Sequence, residues 1–277
     1  MPVPSEYQQT SDYSDHARAA RDFYRRVLVA LAEGGVPALV GGAYAYARFT
    51  GIRRKTKDFD LFVRPDDFAT ALRVLGEAGF ETEATFPHWL GKASEGKNFV
   101  DIIFGSGNGA APVDDEWIAH AIPSEIMALP VLLAPPEEML WSKAFVMERE
   151  RYDGADVIHL MHARGPHLDW DRLLRRFGDY WRVLYSYLVL YGFIYPGEPL
   201  PCPREVMDEL TARLMAELDT PPTRERLCRG TLISREQYLV DTRERGYIDG
   251  RQLPSGTMTA EEIAHWTEEI WRDHPPL

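Results

Sequence analysis

The chain has 277 residues, a formal net charge of −12, 27% charged residues and two cysteines, Cys202 and Cys228. That length accommodates one large domain or two modest ones, each with its own core, and two cysteines without metal-ligand spacing exclude a disulfide framework and read as reduced thiols. No apolar run approaches the roughly 20 residues that span a bilayer, and the acidic balance excludes a basic nucleic-acid footprint over the chain as a whole, so a cytoplasmic protein is expected.

Taken in chain order, Met1 to Asp15 is polar and lacks the basic-then-apolar pattern of a signal peptide. Ala17 to Gly34 has the period of an amphipathic helix. Val36 to Val40 reads as a short apolar strand ending at Gly41-Gly42, and Ala43 to Phe49 reads as a helix. A strand, a glycine turn and a helix N-terminus let backbone N–H groups approach a phosphate closely, aided by the helix dipole.

A gap of 15 residues separates Gly42 from Asp58, where Asp58 to Val63 reads as a second strand. Residues i and i+2 of a strand share a face, so Asp58 and Asp60 project together while Phe59, Leu61 and Val63 take the packed side. Paired carboxylates repel unless a positive charge lies between them, and Mg²⁺ is commonly held by one or two carboxylates together with substrate phosphates. The plainer alternative is a strand end carrying two solvated aspartates. Arg53, Arg54, Lys55 and Lys57 lie just before the pair, where they either steer an anionic substrate or form a solvated loop.

Asp66 to Ala78 is a predicted helix, started by Pro65-Asp66 and ended at Gly79. Ser94 to Asn98 is a turn into the β-branched and aromatic run Asn98 to Phe104. Asp101 sits in that run between Val100 and Ile102. If buried it needs a cation or hydrogen-bond donors nearby; otherwise it faces water at an edge. Gly105 to Pro112 reads as a flexible loop and Val131 to Leu133 as a last strand.

From Pro136 the pattern is helical, over 136–150, 153–163, 169–178 and Tyr180 to Tyr195. Trp181, Leu184, Tyr185, Leu188, Val189 and Tyr191 read as core or as a partner-facing seam, and Trp141 and Trp170 as packing residues. His159, His162 and His167 lack the company that a zinc site needs. Clusters at Arg172-Arg175-Arg176 and Arg224-Arg226-Arg229 leave an RNA acceptor open. Residues 196–203, with four prolines, form a stiff linker. Arg204 to Leu218 is a helix, Pro221-Pro222 a break, Asp249-Gly250 a turn and Thr259 to Arg272 a capped helix.

The Gly41-Gly42 turn followed by Asp58-Phe59-Asp60 resembles the signature of the polymerase-beta-like nucleotidyltransferase superfamily. The resemblance is closest to the bacterial abortive-infection toxin-type nucleotidyltransferases, in which Gly-x-Arg-x-Thr precedes the aspartate strand, here Gly51 to Asp58. Lys143 with Arg151-Tyr152-Asp153-Gly154-Ala155-Asp156 resembles the Lys … Arg-Asp-x-x-Asp-Leu tail of the same proteins. There are two departures. Ala43 stands where many members carry Ser or Thr, and the gap before Asp58 is slightly long. The resemblance covers residues 36–163. It implies Asp58, Asp60 and Asp101 as catalytic residues and ligands of Mg²⁺, or of Mn²⁺ in its place. It also implies Gly41, Gly42, Lys143 and Asp156 as nucleotide-binding residues, with Asp153 in support. For Lys143 the alternative is an interhelical salt bridge with no catalytic part.

The expected fold is therefore α+β: a small mixed nucleotidyltransferase sheet with flanking helices, followed by a helical C-terminal region. The catalytic domain is expected over 17–134 and a mostly helical domain over 135–277. The expected activity is metal-dependent transfer of an NMP from an NTP to a hydroxyl of a tRNA, a protein or a small molecule, releasing pyrophosphate. Two alternatives stand beside it: a nucleotide- or partner-binding protein that has lost efficient catalysis, suggested by Ala43, and the toxin of a toxin–antitoxin pair, with an antitoxin as partner.

Overall fold

A computed structural model of the protein describes residues 6–54, 56, 58–221 and 225–273. Its described residues fall into two compact units, one within Met1–Tyr44, Lys55–Phe104 and Val113–Ala134, the other within Ala45–Arg54, Gly105–Pro112 and Pro135–Leu277. No described helix is long and apolar enough to cross a membrane.

The first unit opens with α1 (Glu6–Glu33), β1 (Leu39–Val40) and α2 (Gly42–Thr50), which begins in this unit and ends in the second. Next come β2 (Asp60–Phe62), α3 (Pro65–Glu77), β3 (Glu81–Phe86), β4 (Leu90–Glu95), β5 (Asn98–Ile103), α4 (Asp115–Ala119), β6 (Ile122–Ile126) and β7 (Leu129–Leu133). The strands form one mixed sheet in the order β3-β4-β5-β2-β1-β7-β6. β2 runs parallel to β5 and antiparallel to β1, which is parallel to β7. Phe59, Leu61 and Val63 are fully buried, as are Ala93, Val100 and Ile102 on the neighbouring strands. They share the side of the sheet on which α1 and α3 supply Phe23, Val27, Leu31, Ala71 and Leu75 to the core. Burial of such side chains contributes about 1.5–3 kcal/mol each, which holds β2 at the centre of the sheet.

Several sequence-based boundaries shift. α1 starts at Glu6 rather than Ala17; the mostly polar run before Ala17 carries no apolar period to reveal it. α4 and β6 were not expected. Pro123 and Pro130 mask the β6–β7 hairpin, and Pro123 is tolerated because β6 lies at the edge of the sheet. Its turn residues Met127 and Ala128 both have positive φ, +55° and +58°, and Arg25 on α1 donates a hydrogen bond to the Met127 carbonyl.

The second unit contains α5 (Pro136–Ala144), α6 (Gly154–Arg164), α7 (Trp170–Phe177), α8 (Trp181–Ile194), α9 (Arg204–Leu218), the short parallel pair β8 (Leu227–Cys228) and β9 (Ile248–Asp249), α10 (Leu239–Arg243) and α11 (Ala260–Asp273). The helix expected over 136–150 stops at Ala144. Beyond it Met147 bridges Tyr152 and its N–H donates to the Ile233 carbonyl, satisfying backbone groups that a longer helix would have bonded internally. Trp141, Trp170, Trp181, Leu184, Leu188 and Tyr191 are buried, whereas Val189 faces out. Arg172 and Arg176 are not a basic surface. Arg172 is buried, with Nη2 2.5 Å from Glu137, and Arg176 donates to the fully buried Glu138 at 3.2 Å. Thr259 and Glu262 form the reciprocal cap of α11, each accepting from the other's backbone N–H at 3.2 and 2.7 Å. The Gly105–Pro112 segment, expected to be flexible, is tied down by hydrogen bonds: Ser106 Oγ donates to Asn108 at 2.6 Å, and the buried Asn108 amide donates to the Leu232 carbonyl.

Candidate functional site

In the first unit the glycine turn and the aspartate strand are directly joined. The Gly41 N–H donates to the Asp60 carbonyl at 3.0 Å, and Gly42 has φ +50°. A Cβ on Gly42 would lie 1.5 Å from Asp60 Oδ2, and one on Gly41 would lie 2.1 Å from the Phe62 ring. Glycine is therefore required twice, once for close approach of the carboxylate and once for the aromatic ring. Phe62 is backed by Trp117, stacked at 5.0 Å.

Asp60 and Asp101 are register partners on the parallel strands β2 and β5, so their side chains stand side by side on the face opposite the core. Asp58 departs from the sequence expectation: the strand begins only at Asp60, and Asp58 is exposed in the segment before it. The ladder nevertheless reaches Phe59, whose carbonyl accepts from the Asp101 N–H at 3.0 Å. Thr56 pins Asp58 from behind, its hydroxyl accepting from the Asp58 N–H at 3.1 Å. Lys55 and Lys57 lie outside the described residues.

Asp101 is largely buried. Desolvation holds its carboxyl above the usual range; the Lys92 ammonium opposes this shift and the Asp58 charge adds to it. Lys92 Nζ is 3.7 Å from Oδ1, an oxygen that is buried and accepts no hydrogen bond. The partner that the sequence required for Asp101 is thus Lys92, held at ion-pair distance. Among the described residues, no group of three or more His, Cys, Asp and Glu side chains, Asp58, Asp60 and Asp101 included, is arranged to hold a metal ion.

Two residues absent from the sequence expectations belong to this region. Tyr24 on α1 stacks on Phe59 at 4.6 Å and meets Tyr44 edge-on at 6.5 Å. Its hydroxyl is pushed up first by burial, then by Tyr44, Asp58 and Asp60. Nothing local in the sequence marks it, since α1 precedes the glycine turn. Lys92 carries a readable signal: it and Asp101 are equidistant from the Gly96-Lys97 hairpin turn, so a two-residue turn places them opposite each other.

In the second unit Lys143 bridges two carboxylates, Asp153 at 2.9 Å and Asp156 at 3.0 Å. Asp156 also pairs with Arg54, whose guanidinium lies over the Tyr46 ring. Burial would raise the Asp153 carboxyl, but the charges of Lys143 and Arg151 and their hydrogen bonds leave it below the usual range. His159 is engaged with the Tyr46 hydroxyl at 2.9 Å and His162 with that of Tyr191 at 3.0 Å. Asp58, Asp60 and Asp101 therefore group with Gly41 and Gly42 in one unit, and Lys143 and Asp156 with Asp153 and Arg54 in the other.

A central mixed sheet with flanking helices and a helical C-terminal region, carrying a glycine turn against an Asp-x-Asp segment, defines a nucleotidyltransferase-like architecture. The family model described as "Uncharacterised nucleotidyltransferase" matches residues 7–186, and the chain belongs to that family. No curated protein matches the sequence. Among solved structures, ANT(2'')-Ia in complex with adenylyl-2''-tobramycin is 18% identical with a TM-score of 0.41, over 62% of this chain and 98% of that one. LnuA, a lincosamide antibiotic adenylyltransferase with lincomycin bound, is 14% identical with a TM-score of 0.35, over 50% and 94% of the two chains. JHP933 from Helicobacter pylori is 16% identical with a TM-score of 0.38, over 73% and 91%.

Proposed function

We propose that this protein transfers an NMP from an NTP to an acceptor hydroxyl, releasing pyrophosphate. The observation that carries the reading is the contact of the Asp60 carboxylate with Gly42, at the N-terminus of a nine-residue helix and beside Asp101. Anionic phosphates are favoured at such a helix start, and the carboxylates beside it are hard oxygen donors suited to Mg²⁺ or Mn²⁺. The buried, unbonded Asp101 Oδ1 fits a cation ligand. Phosphate oxygens and water would supply the remaining ligands of such an ion.

In this reading Asp58, Asp60 and Asp101 would hold the divalent ion, which when bound would neutralise charge on the triphosphate. The glycine turn would let the start of α2 approach the phosphates closely, the Gly41 N–H itself being committed to the Asp60 carbonyl, and Asp101 accepts the proton of the attacking hydroxyl. The acceptor oxygen bonds to the α-phosphorus, the bond from that phosphorus to the bridging oxygen breaks, and pyrophosphate leaves. A phosphate contact for Lys143, which is paired with Asp153 and Asp156 in the second unit, is proposed from the family resemblance alone. Positioning and charge stabilisation supply most of the rate in chemistry of this kind.

The hydroxyl belongs to a tRNA, a protein or a small molecule. Incubation with each α-³²P-labelled NTP, Mg²⁺ and RNA, protein or small-molecule fractions separates these acceptors. Label transferred by the wild type and absent with Asp58→Ala/Asp60→Ala supports the reading. No label from either protein, with Mg²⁺-dependent NTP binding intact, favours a binding protein without transfer. Growth arrest on expression that disappears with Asp58→Ala would make the protein a toxin and call for an antitoxin partner.

A further inference from the structure

One row of the sheet collects charge in an unusual order. Glu95 pairs with Asn98 across the Gly96-Lys97 turn, and the same register sets Lys92 opposite Asp101. The next strand sets Asp101 beside Asp60, and the Gly41 N–H bonds the Asp60 carbonyl. Lys92, Asp101, Asp60 and Gly41 therefore run across four adjacent strand positions, with a lysine at one end and the glycine turn at the other.

The lysine is only half committed to its partner. At 3.7 Å the ammonium is beyond hydrogen-bond length but well within Coulomb range. It also rests 4.7 Å from the centroid of the Phe99 ring, an attraction that holds a cation without binding it tightly. The Lys92 side chain is 38% exposed whereas that of Asp101 is 18% exposed, so the lysine can swing into water and the carboxylate cannot. Asp101 thus has a counter-charge but keeps an oxygen free.

We propose that Lys92 is a built-in counter-ion that competes with the divalent metal for Asp101 and yields its place when the metal binds. This rests on the metal-binding reading of the aspartates given above. A lysine held by one weak ion pair and one aromatic face neutralises Asp101 in the metal-free protein without using the lone pairs that a metal would take. A divalent ion held by these carboxylates would bring like charge towards the ammonium, and the exposure of the Lys92 side chain gives it a route into water. The lysine therefore weakens resting metal affinity while keeping the carboxylate ready.

The test is titration of the full-length protein with Mn²⁺ alone at low ionic strength, following free Mn²⁺ by electron paramagnetic resonance. Wild type, Lys92→Met, Lys92→Arg and Asp101→Asn are compared, with Tm recorded for each. The expected result is that Lys92→Met binds Mn²⁺ about tenfold more tightly, the scale of a single charge near a divalent one in a water-like medium. Lys92→Arg should match wild type in affinity and Tm, Asp101→Asn should lose the effect, and Lys92→Met should melt lower at neutral pH because Asp101 loses its counter-charge. Binding that depends on Asp101 but is equal or weaker in Lys92→Met overturns the role of Lys92 alone. No Mn²⁺ binding in wild type or Lys92→Met overturns the metal reading and this proposal with it.

Discussion

Asp60 presses its carboxylate onto the backbone of Gly42 so closely that a methyl group there would stand 1.5 Å from Oδ2. With φ at +50°, that position also disfavours any L side chain. Gly42→Ala should therefore displace Asp60 while leaving most of the core intact. Transfer is expected to fall about a hundredfold, the usual cost of misplacing a reacting group by roughly 1 Å, with the circular dichroism spectrum unchanged. Wild-type transfer by this variant would disprove the importance of the contact.

Asp101 gives a pH-dependent stability prediction of unusual sign. Burial, with the Asp58 charge adding and Lys92 opposing, raises its folded pKa. The ionised carboxylate therefore costs stability at pH above that folded value, and the cost is relieved as pH falls through it. Asp101→Asn should melt higher than wild type at neutral pH, with the difference narrowing on acidification through the folded pKa. As the proposed base it should also lose transfer by about a hundredfold or more. A lower Tm for the asparagine variant at neutral pH would contradict the account.

Lys143 lies between two largely buried carboxylates. Replacing it with Met leaves Asp153 and Asp156 without their shared cation and should cost about 1–3 kcal/mol of stability, read by urea denaturation. If its charge also meets the phosphates, KM for NTP should rise by about tenfold. A stability loss with unchanged KM would return Lys143 to a purely structural salt bridge.

The C-terminal third contains a buried clamp. Arg251, fully buried, donates to Asp249 through Nε at 3.1 Å and Nη2 at 2.7 Å, and Thr231 donates to the same carboxylate at 2.7 Å. Burial would raise the Asp249 carboxyl, but these hydrogen bonds and the Arg251 charge hold it below the usual range. Such stabilisation is complete above the unfolded value of about 3.9 and is lost as pH falls through the folded one. Arg251→Met should destabilise by about 3–5 kcal/mol at neutral pH, and by less in acid, where Asp249 is protonated. A denaturation midpoint equal to wild type at pH 7 would refute the clamp.

Sequence by itself determined what depends on short-range period and turn chemistry. The alternation of Phe59, Leu61 and Val63 fixed which side of β2 is packed, because the pleat has a period of two. Prolines and caps fixed α9 at Arg204–Leu218 and the Thr259/Glu262 cap of α11. The glycine pair and the aspartates were visible as a motif, though the strand starts one turn of the pleat later than Asp58. Tertiary structure alone decided the strand order that inserts β2 between β1 and β5 and so brings Asp60 against both Gly42 and Asp101. It also decided that Arg172 and Arg176 are buried against Glu137 and Glu138 rather than offered to a nucleic acid, and that Lys143 spans two carboxylates. These outcomes depend on contacts between residues far apart in the chain. Their energies come from burial and ion pairing summed over whole elements, which no local period encodes.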